Sequence, residues 1–327
     1  MPKASTLCIV IPCYNEEAVL PQSHNLFLQK LDEFIQAGKV DENSRILFVD
    51  DGSTDKTWHI ISELAEANEH IEGVRLSRNR GHQNALLAGL MTAKEFADIT
   101  ITIDCDGQDD VNAMDEMLAE YEQGCDIVYG VRSNRDSDSR FKRGSAQLFY
   151  RFMKKMGVDM VYNHADYRLM SKRAIDGLAQ FKEVNLFLRG LVPLVGYRYC
   201  SVYYERHERI AGKTHYPLKK MIAFALDGIT SLSVKPIRLI TWLGLLFALL
   251  SFAAIVAVFV QHFVGKTVAG WSSTVCAIFF IGGIQLLAIG IIGEYIGKIY
   301  SETKQRPRFI ISEKTLVQAE DGEETSC

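Results

Sequence analysis

The chain has no CxxC pair. Its seven cysteines, Cys8, Cys13, Cys105, Cys125, Cys200, Cys276 and Cys327, are scattered with no histidine at zinc-ligand spacing. This excludes a structural zinc module and reads as free thiols in a reducing compartment. A charge excess is also missing: 36 basic and 40 acidic residues leave a net charge of -4. No nucleic-acid footprint follows from that balance, and any phosphate recognition has to be local. The N-terminus lacks the long apolar core of a signal peptide, because the run Leu7 to Ile11 is stopped by Pro12 and followed by Asn15, Glu16 and Glu17. It is therefore expected to stay in the cytoplasm. No internal repeat is present, and the acidic stretch around Glu320 to Glu324 is the one biased segment, expected to be disordered. The first strand-turn-helix unit carries no G-x-G-x-x-G loop, which excludes the usual NAD or FAD fingerprint. His82, His164, His207 and His262 form no ligand set and read as surface or packing residues.

Long apolar runs do occur, but late. Leu239 to Val264 and Trp271 to Ile292 are almost wholly apolar, and at about 1.5 Å per residue each can cross roughly 30 Å of hydrocarbon. Lys219, Lys220, Lys235 and Arg238 precede the first run and Lys298, Lys304, Arg306 and Arg308 follow the second, while the loop between them holds only Lys266. The positive-inside rule then puts both large ends in the cytoplasm. Between the catalytic part and the first run, Met221, Ile222, Phe224, Ala225, Leu226 and Ile229 follow two lysines, a pattern suited to a helix on the membrane surface or to a plain packing helix. Gly293 and Gly297 are spaced for helix association and hint at a homo-oligomer. These features divide the chain into residues 1–215, a cytoplasmic domain; 216–236, a juxtamembrane segment; 237–297, a two-helix transmembrane anchor; and 298–327, a cytoplasmic and partly disordered tail.

The first part alternates strand-like and helix-like segments. Leu7 to Ile11, Arg45 to Val49, Val74 to Ser77, Ile99 to Ile103 and Asp126 to Tyr129 are short and rich in Val and Ile, as strands buried on both faces are. Helical stripes run between them: Leu20, Phe27, Leu31 and Phe34; Trp58, Ile61 and Leu64 or Ala65, entered through Ser53 or Thr54 as a cap; Leu86, Leu90 and Ala93; and Met114, Met117, Leu118 and Tyr121. The order predicts an α/β domain with a mostly parallel sheet, whose ligands bind beyond the carboxyl ends of the strands. Polar and acidic motifs sit at three of those ends: Pro12 to Glu16, Asp50 to Asp55 and Asp104 to Asp110. Carboxylates at i and i+2, as in Asp104 and Asp106, can converge on a divalent cation that also takes diphosphate oxygens.

As a set, PCYNEE at Pro12 to Glu17, FVDDGSTD at Phe48 to Asp55, NRGHQNAL at Asn79 to Leu86, DCDGQD at Asp104 to Asp109, ADYRLM at Ala165 to Met170 and RIAGKTHYP at Arg209 to Pro217 resemble the family-two glycosyltransferases of GT-A fold. The likeness is to their polyprenyl-phosphate branch, which includes dolichol-phosphate mannose synthase and bactoprenol glucosyltransferase, and it extends over the two C-terminal spans. It implies inverting transfer of a hexose from a nucleotide-sugar, UDP-glucose first, to undecaprenyl or another polyprenyl phosphate at the bacterial inner membrane. It also implies roles. Pro12, Tyr14, Glu16, Val49 and Asp51 would hold base and ribose; Asp104, Asp106 and Gln108 would hold Mg2+ or Mn2+ and, with Cys105 and Arg132, the diphosphate. Arg143 would meet the acceptor phosphate, and Arg209, Lys213 and His215 would lie in the segment covering the substrate, where Thr214 and His215 replace the usual Ser-Lys. Asp106 and Asp166 are the implied catalytic carboxylates, Asp166 as a base or a sugar-orienting group. Salt bridging to Arg168 or capping of a loop is the purely structural alternative for Asp166. Around Arg143, the basic residues Arg140, Lys142, Arg151, Lys154 and Lys155 interleave with aromatics, a mixture suited to an anionic lipid headgroup, although a solvated helix face is the favoured reading for most of them individually.

A processive polysaccharide synthase of the same fold generally carries Gln-x-x-Arg-Trp, and none of Trp58, Trp242 and Trp271 follows an arginine. A non-catalytic nucleotide-sugar-binding membrane scaffold would not need an intact metal motif. GDP-mannose or another UDP-sugar as donor is left open by the residues.

Overall fold

The computed structural model describes residues 4–133, 156, 164–207, 228–263 and 270–315. Two compact units are present, one of Met1–Tyr150, Met160–Tyr216 and Pro307–Cys327, the other of Arg151–Asp159 and Pro217–Arg306.

The first unit is built on an eight-stranded sheet in the order β7-β5-β6-β4-β1-β2-β3-β8. The strands are β1 Leu7–Cys13, β2 Arg45–Asp50, β3 Ile71–Leu76, β4 Ile99–Thr102, β5 Ile127–Arg132, β6 His164–Ser171, β7 Tyr199–Tyr204 and β8 Ile311–Lys314. β1 runs parallel to β2 and β4, β2 to β3, and β5 to β7, whereas β6 pairs antiparallel with β4 and β5, and β8 antiparallel with β3. Six strands therefore point one way, and their carboxyl ends form one edge. All five expected strands are present. β1 shows why they were legible: every one of its residues is buried, so the sheet is covered on both faces and the run is apolar without alternation.

The helices α1 Leu20–Gln36, α2 Thr57–Ala67, α3 His82–Ala93 and α4 Ala113–Glu122 carry the expected stripes. Phe27 and Phe34 on α1 are essentially inaccessible, each burial stabilising by about 1.5–3 kcal/mol. Entry into α2 differs from expectation. Asp55 Oδ1, not Ser53 or Thr54, accepts from the Thr57 amide at 3.0 Å and hydroxyl at 2.6 Å. Ser53 is occupied elsewhere, its Oγ accepting from the Asn15 amide at 2.9 Å. Two shorter helices, α5 Lys172–Ala179 and α6 Leu188–Leu194, follow β6. The expectation of seven free thiols is corrected. Parallel pairing sets Val128 beside Cys200 and brings Cys125 to it, and the two cysteines form a disulfide with Cα atoms 6.0 Å apart. Cys8, Cys13 and Cys105 are free and buried.

The second unit contains α7 Lys235–Phe263 and α8 Trp271–Lys304, of 29 and 34 residues. Ser233 Oγ accepts from the Lys235 amide at 3.1 Å at the start of α7, Tyr295 of α8 donates to the Ser233 carbonyl at 2.6 Å, and Phe247 meets Phe280 edge-on at 5.9 Å. Among the described residues one stretch, Phe280–Lys304, is long and apolar enough to cross a membrane. Residues 216–227 of the juxtamembrane segment and Glu320 to Glu324 lie outside the described residues.

Candidate active site

The carboxyl ends of β1 and β2 are level, Cys13 pairing with Asp50. The two turns that follow are laced together. Besides the Asn15 to Ser53 bond, Asn15 Oδ1 accepts from the Thr54 amide at 3.0 Å, and the Glu16 amide donates to Thr57 Oγ1 at 2.9 Å. Pro12 and Val49 are buried beneath this surface, Glu16 is half-buried, and Tyr14 is 45% exposed, leaving its ring at the rim. Asp51 is buried, and its two oxygens accept from the Arg80 amide at 2.7 Å and the Gly81 amide at 2.8 Å. Burial pushes the Asp51 carboxyl up, although these amides and His82 pull it back. Gly52 is where the turn passes closest to the β3–α3 loop: its φ is +65°, and an added Cβ would stand 2.5 to 2.7 Å from backbone atoms of Arg78 and Asn79. Gly52→Ala is expected to destabilise the fold by about 2–3 kcal/mol, read by chemical denaturation.

A second cluster forms where β4 ends beside β6. Thr102 pairs with Arg168 across the antiparallel ladder, so Asp104 just beyond β4 comes level with Asp166 near the start of β6. His82, the first residue of α3, stands between them, with Nε2 3.6 Å from Asp104 Oδ1 and 3.5 Å from Asp166 Oδ2. His82, although exposed, thus adjoins both carboxylates, a contact that its reading as a surface or packing residue did not anticipate. Partial burial lowers its pKa, but the adjacent carboxylates of Asp166 and Asp104 raise it on balance. Asp166 also receives Arg168 Nη2 on Oδ1 and Arg189 Nη2 on Oδ2, the latter at 3.0 Å. Burial would raise its carboxyl, yet Arg189, His82 and Arg168 together hold it well below the usual carboxylate range.

Asp104 has the opposite balance. Burial raises its carboxyl, His82 lowers it, and Asp109, Asp166 and Asp106 raise it further. Asp106 is buried with Oδ1 accepting from the Gln108 amide at 3.1 Å, and Cys105 beside it is buried with its sulfur 3.6 Å from Ser23 Oγ. The Gln108 side chain meets Arg206 through Oε1 and the His207 carbonyl through Nε2. Asp109, also buried, accepts on Oδ1 from Tyr204 at 2.6 Å and from Arg132 Nη2 at 3.2 Å, and Arg132 Nε reaches Tyr204 Oη at 3.2 Å. Its other oxygen, Oδ2, is buried with no hydrogen-bond partner among the described residues. Arg143, Arg209, Lys213 and His215 lie outside the described residues, as do Arg140, Lys142, Arg151, Lys154 and Lys155.

The site therefore joins two acidic turns, a histidine and several guanidinium groups on one edge of a mostly parallel sheet. Residues 8–178 match the model of the family described as "Glycosyl transferase family 2". The chain belongs to glycosyl transferase family 2. It is a glycosyltransferase, and its sheet is the GT-A arrangement. Residues 235–299 match a second family, the GtrB C-terminal hairpin, over α7 and α8. The "Uncharacterized glycosyltransferase YkoT" of Bacillus subtilis is 50% identical over 93% of this chain and 90% of its own. The bactoprenol glucosyl transferase of Shigella phage SfX is 36% identical over 94% of this chain and 99% of its own. Among solved structures, glucosyl-3-phosphoglycerate synthase from Mycobacterium tuberculosis covers 70% of this chain and 79% of its own, at 18% identity and a TM-score of 0.44.

His82, Asp109, Arg189, Tyr204 and Arg206 line the candidate site but were left without a role by motif reasoning, the last three lying beyond the residues that match the family. For His82 a signal existed: it opens a helix directly after the loop at the carboxyl end of β3, the edge on which the acidic motifs gather.

Proposed function

We propose that this glycosyltransferase moves glucose from UDP-glucose to undecaprenyl phosphate, or a related polyprenyl phosphate, with inversion at the anomeric carbon. The observation that carries the reading is the 36% identity to a bactoprenol glucosyl transferase over 94% of this chain and 99% of that one, hairpin included. The chemistry agrees with it. A phosphate monoester is already anionic near neutral pH, so the acceptor oxygen can attack directly, in line with the departing nucleoside diphosphate. No strong base is required. Asp166, held ionised by Arg168, Arg189 and His82, is suited to accept hydrogen bonds from sugar hydroxyls and fix the donor's orientation. Tyr14, Asp51 and the backbone around Glu16 would hold base and ribose, and Arg132 would face the diphosphate.

The acidic cluster fits a divalent cation, Mg2+ or Mn2+. Asp104 is crowded by Asp106, Asp109 and Asp166, with His82 offsetting them, and Asp109 Oδ2 is buried without a partner among the described residues. Asp104 and Asp106, with Gln108 alongside, would hold the ion, which when bound supplies positive charge to the leaving diphosphate. α7 and α8 are read as two membrane spans, with the catalytic unit and both termini in the cytoplasm and the acceptor's phosphate at headgroup level. Undecaprenyl phosphate and a panel of UDP- and GDP-sugars, followed by release of nucleoside diphosphate and formation of lipid-linked sugar, test the whole reading. UDP-glucose is expected to turn over at least tenfold faster than GDP-mannose; a preference for GDP-mannose would change the donor, and no product with any donor would refute lipid-phosphate glycosylation. A second expectation concerns the anchor. Replacing residues 235–304 with a flexible Gly/Ser linker should preserve turnover on a short, water-soluble prenyl phosphate and cut transfer to undecaprenyl phosphate in vesicles by at least about tenfold. Equal transfer to the vesicle-borne acceptor would show that the hairpin is not what brings the site to the lipid.

A further inference from the structure

The two loops that meet at Gly52 are tied from behind to the chain that follows the hairpin. β8 lies antiparallel against β3, with Arg75 opposite Glu313. The Arg75 guanidinium serves two carboxylates: Nε is 3.3 Å from Asp50 Oδ2, and Nη1 donates to Glu313 Oε1 at 2.7 Å. Trp58 Nε1 donates to the other Glu313 oxygen at 2.9 Å, and the guanidinium sits 5.9 Å from the Trp58 ring centre. Glu313 and Trp58 thereby hold a side chain that is one-third exposed, keeping its guanidinium within ion-pair range of Asp50. Asp50 is fully buried, and its carboxylate takes the Ser53 amide at 3.1 Å, so its position sets the turn that carries Asp51. Ser53 in turn holds Asn15 beside Tyr14. The second loop has its own ties. The Ser77 amide donates to the Ile310 carbonyl at 2.9 Å, and Arg80 Nη2 reaches the Pro307 carbonyl at 3.3 Å while the Arg80 amide binds Asp51.

We infer that Glu313, acting through Arg75 and Asp50, is a positioning residue for the donor-binding turn, so that the segment after the membrane hairpin sets affinity for the nucleotide-sugar. The inference rests on the reading of Asp51 as a donor contact. Arg75 touches both Glu313 and Asp50, so whatever shifts its guanidinium at Glu313 is felt by the buried acid of that turn. The salt link is partly exposed and its effect is correspondingly moderate. Steady-state kinetics on the full-length membrane-embedded enzyme, with UDP-glucose and undecaprenyl phosphate varied separately and UDP affinity measured by calorimetry, test it. Glu313→Ala is expected to raise the donor KM and the UDP Kd about threefold to tenfold, with kcat and acceptor KM within twofold of wild type. Glu313→Gln, which keeps an oxygen facing Arg75, should recover part of the loss. Asp51→Ala is the reference. If Asp51→Ala weakens donor binding and Glu313→Ala does not, or if Glu313→Ala lowers only Tm or impairs both substrates alike, the relay is overturned and the donor turn stands. If neither variant weakens UDP binding, the donor-turn reading falls and takes the relay with it.

Discussion

Asp106→Ala is expected to reduce sugar transfer by at least about a thousandfold at saturating donor, acceptor and metal, the scale lost when charge stabilisation of a leaving group is removed. Asp104 and Asp106 lie two and four residues beyond the end of β4, and Asp104 comes level with Asp166 of β6. Four carboxylates crowd this corner, and the charges of Asp109, Asp166 and Asp106 all press on Asp104. A protein would not hold such a cluster for stability alone, because like charges brought together in a half-dry site oppose folding. The hydrogen bond that the Asp106 carboxylate accepts from the Gln108 amide at 3.1 Å is worth about 1 kcal/mol. The substitution should therefore leave Tm within a few degrees of wild type while turnover collapses, a separation that a general folding defect would not produce. Chelation of divalent cations with EDTA should cause the same loss in the wild-type enzyme, reversed by Mg2+ or Mn2+. Activity within tenfold of wild type in Asp106→Ala, or in chelated enzyme, would remove the metal-dependent mechanism.

How far the sequence reveals this site depends on whether the forces that build it are local. β1 to β5 were readable because each is a short apolar run buried on both faces, and the acidic turns follow them directly. β6 was not, since its polar residues Asp166 and Arg168 sit at buried positions where an apolar pattern would be sought. ADYRLM accordingly reads as a functional segment of unknown shape, although it forms most of an eight-residue antiparallel strand. β7 shows exposed Tyr199 and Tyr203 because it is an edge strand with one open face. β8 is four residues long and mostly exposed, and it joins the sheet only because β3 offers it an edge. No local feature of Ile-Ser-Glu-Lys announces that pairing. The partners of buried charges are equally remote: Tyr204 binds Asp109 from 95 positions away, and Asp166 is met by His82 from α3 and Arg189 from α6. Composition can say that a buried acid needs a counter-charge, but only the topology says which one.

Asp166→Ala should be the most destabilising of the substitutions considered, by about 3–5 kcal/mol, because it leaves a buried guanidinium without its counter-charge. Arg168 is 2% exposed, its Nη2 is committed to Asp166, and its Nη1 has no partner among the described residues. Arg189 is about one-third exposed and can turn toward solvent, so most of the cost falls on Arg168. For a domain of this size the loss corresponds to a fall in Tm of about 10 °C. Asp166→Asn keeps the shape and one acceptor oxygen and should cost less. The pH dependence has a definite sign. The Asp166 pKa is depressed in the folded state, so its stabilisation is complete above the unfolded value of about 4 and is lost only as pH falls through the lower folded one. The Tm gap between wild type and Asp166→Asn should thus be flat from about pH 6 to 9 and close only in acid. The same depression argues against a general base, which needs a pKa near the working pH. The kcat/KM profile of the wild type should therefore show no limb that Asp166→Asn abolishes, even though the variant turns over more slowly. A limb near neutrality that vanishes in Asp166→Asn would make this carboxylate the proton acceptor, and its two arginines would then need another explanation.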